Sequence, residues 1–193
     1  APAIPPDLPE PYRATTGVLT TERSVPALAR FVRAGGTLVT IGRAARLATA
    51  LDVPLENALV ERLPDGSAWP LATDRFFVPG SIVRARVDNR VPLGYGFARD
   101  VDVYFDGSPV FQVTPLPPRP PRVVSWYEQA RPLRSGLAVG QERLRGGVAV
   151  ADVPFGLGRV IVLAPEVTFR GQAHGTFKFL FNALLLAGAT PVS

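Results

Sequence analysis

The sequence predicts an α/β fold, a layered sheet with flanking helices, and three observations carry that expectation. A run with helical spacing stops at Gly35-Gly36 and feeds directly into the β-branched stretch Thr37–Ile41, then Gly42 and a second helical run. Two almost wholly apolar stretches, 147–152 and 159–164, lie side by side near the end of the chain and read as strands covered on both faces. An amphipathic stretch of helical period closes the sequence, so helices are available to cover that sheet.

Each element follows from local chemistry. Residues 1–20 hold five prolines and no periodicity, which predicts an extended lead-in or linker, with 21–193 as the folded domain. From Ser24, a capping residue with Pro26 in the first turn, Val25, Leu28, Phe31 and Val32 recur at helical spacing. After the Thr37–Ile41 strand, residues 43–51 read as a second helix. The middle is β-rich: Val83, Ala85 and Val87 alternate with Arg84 and Arg86, and Val101, Val103 and Phe105 alternate with Asp102, Tyr104 and Asp106. Each of these strands has one wet face. Residues 116–122, LPPRPPR, fit a rigid loop between strands, with a polyproline ligand for an SH3-like domain as the alternative. A strand resumes at 123–127, and 153–158 reads as the loop joining the two apolar strands of a hairpin. The last helix, 175–187, sets Phe177, Leu180, Phe181, Leu184 and Leu185 on one stripe, and Gly188 stops it.

Composition excludes several chemistries. The 193 residues hold no cysteine, so disulfide scaffolds, thiolate zinc sites and thiol nucleophiles are out of reach. The longest apolar stretch, 177–187, is broken by Lys178 and Asn182 and is too short to span a bilayer. The charge is +5, yet 20 of the 21 basic residues are arginines scattered along the chain rather than gathered in a stripe with aromatics. Nucleic acid is therefore not the expected partner, although a basic module for nucleic acid or an anionic polymer stays open as an alternative. The chain begins at Ala1 and contains no methionine, which is read as a processed or excised piece of a longer product.

A hydrolytic zinc site needs two or three histidines with carboxylate support, and His174 is the only histidine. No G-x-S-x-G elbow, Walker A loop or dinucleotide fingerprint is present. One polar cluster remains: Glu166, Thr168, Arg170, Gln172 and His174 follow the apolar 159–164 strand and lead into the final helix. Ligands in open α/β sheets bind beyond the carboxyl ends of strands. If the 37–41 and 159–164 strands are parallel, their exits share a rim. Glu166, Arg170 and His174 would then meet Arg43 and Arg46, a set suited to an anionic small ligand or peptide. The competing reading pairs Glu166 with Arg170 and uses His174 to cap the helix or anchor the loop. A further alternative is a hydrolase centred on Glu166 and His174.

The runs 31–42 (FVRAGGTLVTIG), 78–88 (VPGSIVRARVD) with 91–96 (VPLGYG), and above all 158–170 (GRVIVLAPEVTFR) with 174–182 (HGTFKFLFN) resemble a known family. They are similar to the C-terminal accessory domain of large bacterial zinc carboxypeptidases of the carboxypeptidase A type. That domain resembles class I glutamine amidotransferases in fold. The resemblance covers nearly all of the chain from about residue 11. It implies an amidotransferase-like (flavodoxin-like) sheet with a β-rich middle insertion. The Pro-rich lead-in supplies no early strand-helix alternation, which leaves open that the N-terminal βαβ part of such a fold is absent here. It also implies a secreted or periplasmic bacterial metallocarboxypeptidase as the parent chain, whose peptidase domain, packed in cis, holds the zinc. No cofactor is expected in these residues. Active amidotransferases present a nucleophilic cysteine at the turn after the GG-strand unit; Ile41-Gly42-Arg43 stands there instead, implying a dead elbow and a noncatalytic accessory domain.

Overall fold

A computed structural model of the chain describes residues 7–13, 17, 19–114 and 119–189. In chain order the elements begin with helices α1 (Glu10–Arg13) and α2 (Ser24–Arg33) and strand β1 (Thr37–Ile41). A 3-10 turn at Gly42–Arg46 runs into α3 (Leu47–Ala50). Strands β2 (Leu55–Asn57), β3 (Val60–Arg62), β4 (Ala68–Pro70), β5 (Ser81–Val87), β6 (Asp100–Phe105) and β7 (Phe111–Val113) follow. The chain continues through β8 (Arg122–Trp126), β9 (Leu133–Ser135), β10 (Val148–Phe155) and β11 (Gly158–Leu163). After 3-10 turns at Phe169–Gly171 and His174–Thr176 it closes with α4 (Phe177–Gly188).

The architecture is mixed α/β. Among the described residues nine strands form one curled sheet whose main path runs β1-β11-β10-β8-β5-β6; β7 joins β10 to β2, β9 joins β5, and β3 and β4 form a separate hairpin. Among the described strands β1 and β11 make the one parallel pair, with Thr37 opposite Arg159 and Ile41 opposite Leu163. The register of β10 on β8 shifts between Val148 and Ala151, which bends the sheet there.

Strand β11 separates two apolar cores. Val160, Val162 and Ala164 pack with Ala29 and Val32 of α2 and with Ala45 and Ala48 after β1. Ile161 and Leu163 face the other way, toward Phe179 and Ala183 of α4 and the middle strands Val83, Val103 and Phe105. Both faces of β11 are thus fully buried from Val160 to Leu163, as that continuous apolar run requires. Among the described strands β11 is second from the β1 edge of the sheet, so burial of both faces does not require a central position.

Several local expectations are corrected. Residues 43–51 do not make one helix: the turn at Gly42–Arg46 is 3-10 and only Leu47–Ala50 is α-helical. Its apolar side chains, Ala45, Ala48 and Leu51, still face one core, so the periodicity reported the buried face and not the hydrogen-bond pattern. The hairpin loop expected at 153–158 shrinks to Gly156-Leu157, because Pro154 stays in β10 opposite Arg159. Among its described residues the lead-in forms one helical turn, α1, with no buried residue. Its residues 1–6, 14–16 and 18, and residues 115–118 of the Pro-rich loop, lie outside the described part.

Candidate functional site

The parallel register of β1 and β11 brings their carboxyl ends to one rim, where Gly42 follows β1 and Glu166 follows β11. Gly42 is buried and turns in the left-handed region, φ 57°, which suits a residue without a side chain. A Cβ at this position would fall on the carboxylate of Glu166. Glu166 is half-buried, and no side-chain hydrogen bond or ion pair is made by it among the described residues.

The rest of the rim departs from a single converging set. Arg170 sits in the left-handed region, φ 47°, with its guanidinium 5.1 Å from the Phe169 ring centre, and Phe169 stacks on Tyr104 at 4.3 Å with the planes 6° apart. The Glu166–Arg170 ion pair of the competing reading is not formed within 4 Å; Arg170 lies against the Phe169 ring instead. His174 is exposed, lies 5.3 Å from the ring of Phe177, and caps no helix. Thr176 anchors this loop: its single hydroxyl proton is shared between the carbonyls of Val167, at 2.5 Å, and Ala173, at 2.8 Å. Ala173 is left-handed as well, φ 53°, so the loop carries two non-glycine residues in a costly conformation. No hydrogen bond joins Glu166 to His174, so the proton-transfer pair that a hydrolase at these residues needs is not assembled.

Arg43 and Arg46 are exposed and turn toward a different place, the bend between β6 and β7. The Arg43 guanidinium comes within 3.9 Å of where a Cβ on Gly107 would lie. Arg46 lines a cleft of about 480 Å3 with Leu59, Leu71, Phe76 and Phe111. Sequence reasoning missed these apolar residues because they lie in strands of three residues or in the loops beside them, too short to show a period; the aromatics Phe76 and Phe111 in the stretch left unassigned were the available signal. No cluster of three or more His, Asp or Glu with metal-holding geometry occurs among the described residues. No helix among them is long and apolar enough to cross a membrane.

No protein-family model matches the chain, and no curated protein matches it in sequence. Among solved structures, a β-galactosidase from Bacillus circulans sp. alkalophilus is similar in fold. Its TM-score is 0.50 at 13% identity over 88% of this chain and 21% of that one. The chain therefore spans about a fifth of the length of that enzyme. A ThuA-like protein from Bacteroides uniformis gives a TM-score of 0.48 at 12% identity, covering 89% of this chain and 66% of that one. PurLQS from Thermotoga maritima gives 0.47 at 15% identity, covering 84% and 67%. Likeness at such identities concerns fold alone.

Proposed function

We propose that the chain is a noncatalytic accessory module of amidotransferase-like fold that packs in cis against the peptidase domain of a secreted or periplasmic bacterial zinc carboxypeptidase. The observation that carries the noncatalytic reading is the turn after β1. It has the sharp left-handed exit of a nucleophile elbow, yet Gly42 supplies no nucleophile and the Glu166 carboxylate occupies the place where a side chain would begin. The peptidase parent rests on the sequence motifs, above all those of the closing segment. The β-galactosidase supports the modular part, since there a similar fold makes up 21% of a longer enzyme.

A surface for such packing is present. Strand β1 has β11 as its one sheet neighbour among the described residues, and it is uncharged, free of proline and unbulged along Thr37–Ile41. Such an edge is the kind that proteins ordinarily cover. Phe31 of α2, 56% exposed, lies against Gly36 beside it, and Leu184 and Leu185 of α4 are exposed on the other side of the sheet. Two measurements test the reading. Incubation with glutamine is expected to release no more ammonia than a boiled control; release above it would overturn the noncatalytic assignment. The coding sequence upstream of Ala1 is expected to encode a zinc-peptidase domain in the same frame, and any other enzyme class there would overturn the parent.

A further inference from the structure

The cleft beside Arg46 has a chemistry that neither the dead elbow nor the packing edge explains. Its walls are apolar, formed by Leu59, Leu71, Phe76 and the buried ring of Phe111. Its polar side chains offer donors: the Arg46 guanidinium, the Thr49 hydroxyl, Asn57, whose Oδ1 already accepts the Leu59 N–H at 3.0 Å and whose NH2 is left to donate, and Ser108, whose Oγ accepts the Asp106 N–H at 3.3 Å and keeps its own proton. No Asp or Glu lines it, and Arg46 forms no ion pair among the described residues. Arg43 adds a second positive charge at the Gly107 bend that forms one lip. An apolar wall facing a cation with a planar pair of donors selects a group that is greasy at one end and a carboxylate at the other. A volume of about 480 Å3 lies within the range of small-molecule sites.

We propose that this cleft binds an amphipathic carboxylate, with an aromatic or branched aliphatic group against Leu59, Leu71, Phe76 and Phe111 and the carboxylate on Arg46. Two sources share that chemistry, a free hydrophobic acid and the C-terminal residue of a peptide. The proposal rests on the preceding reading only in treating the chain as a binding module. Three observations point the same way: the donors line the same cleft as the apolar side chains, no Asp or Glu lines it, and Glu166 is not among its lining residues.

The test is an NMR titration of the intact chain with 3-phenylpropionate, 3-phenylpropanamide, acetate, acetyl-glycyl-phenylalanine and the C-terminal amide of that peptide. At least one of the two hydrophobic acids is expected to saturate with a dissociation constant on the order of 0.1–1 mM, as the size of such probes allows. The matching amide should bind at least about tenfold more weakly, and acetate should not saturate. Which acid binds tells the free acid from the peptide end. Arg46→Gln, a surface change with little risk to folding, should weaken binding about tenfold, whereas Arg170→Gln should leave it unchanged. Equal affinity for acid and amide, an unaffected Arg46→Gln, or no saturation by either acid would overturn the site. Chemical conversion of a probe in the same spectra would overturn the noncatalytic reading and leave the site standing.

Discussion

Two groups of arginines in this protein differ in what they face. On the β5–β6 surface they are matched across the strands: Arg84 lies opposite Asp102 and grips it through two hydrogen bonds of 2.8 and 2.9 Å, and Arg86 lies opposite Asp100 at 2.9 Å while also reaching Glu128. Around the parallel β1–β11 corner, Arg30, Arg33, Arg43, Arg46 and Arg170 make no ion pair among the described residues; Arg33 and Arg170 lie instead over the rings of Phe155 and Phe169. The basic residues are thus partnered unevenly: the β5–β6 arginines face carboxylates, whereas those beside the sheet exits and the cleft do not. The lesson is that scattered basic residues in a sequence gain meaning only when their acidic partners are placed.

The largest effect that sharpens this contrast is expected at Gly42. An alanine there must hold the left-handed conformation, at about 1–2 kcal/mol, and must also displace the Glu166 carboxylate. Urea denaturation should show a loss of roughly 2 kcal/mol. Glu166→Ala alone should change little, since its carboxylate has no partner to lose, and the double variant should recover part of the Gly42→Ala loss. Strict additivity of the two changes would mean that Glu166 does not fill the elbow.

On the antiparallel side the expected effect is a gain. Tyr127 is fully buried, its ring edge-on to Phe105 at 6.1 Å, and among the described residues neither its hydroxyl nor the buried Ser125 hydroxyl has a hydrogen-bond partner. Tyr127→Phe keeps the ring and removes an unsatisfied polar atom, so a gain of about 1 kcal/mol is expected in the same denaturation experiment. Burial also pushes the Tyr127 phenol up. The unfolded chain ionises it near ~10 while the native chain holds the proton, so stability falls as pH rises above that value, and Tyr127→Phe should remove this alkaline component. A loss of stability in the variant would show that the hydroxyl is bonded after all.

How much of this contrast was legible in the sequence depends on the length of the element. Alternation over seven residues put Arg84 and Arg86 on the wet face of β5, and the apolar run of β11 declared its two buried faces. The shared rim followed from two apolar strands each ending in a turn, and β1 and β11 are indeed parallel there. The side-chain directions did not follow. Arg43 and Arg46 leave a 3-10 turn, whose three residues per turn aim them at the β6–β7 bend rather than at Glu166, and Arg170 is diverted by the stacked Phe169 and Tyr104. The cleft walls were invisible because β2, β3, β4 and β7 are three residues each, shorter than two periods of any strand pattern.

A third change separates burial from pairing. Asp152 on β10 lies 3.2 Å from Arg159 at the end of β11 opposite Glu166, yet its carboxyl is held above the ordinary range, because burial outweighs the nearby guanidiniums of Arg159 and Arg122. The native chain therefore binds more protons than the unfolded chain from about pH 4 up to the raised native value. Stability must fall as pH climbs through that window, so Asp152 favours the fold only in acid. Asp152→Asn should flatten the profile measured by urea denaturation between acid and neutral pH. A variant whose stability instead stops rising with pH would mean that Arg159 wins over burial.

The smallest effect is expected where the pairing looks best. Arg84 and Asp102 meet in the two-bond geometry that favours arginine and carboxylate, and they sit directly across β5 and β6, where cross-strand pairs act. Both side chains are nonetheless about a third exposed, at 31% and 39%, so water and salt screen the attraction. Arg134 approaches the same carboxylate at 4.0 Å and would take over part of the charge if Arg84 were removed. The double-mutant cycle of Arg84→Ala and Asp102→Ala is therefore expected to give a weak coupling that shrinks further when salt is raised. The same salt increase should weaken binding of a hydrophobic carboxylate at Arg46 more than it weakens the fold, because that charge has no partner of its own to lose. If the Arg84–Asp102 coupling proved large and insensitive to salt, the antiparallel surface would be held together by its charges rather than merely neutralised by them, and the contrast between the two arginine populations would be one of structural role as well as of partner.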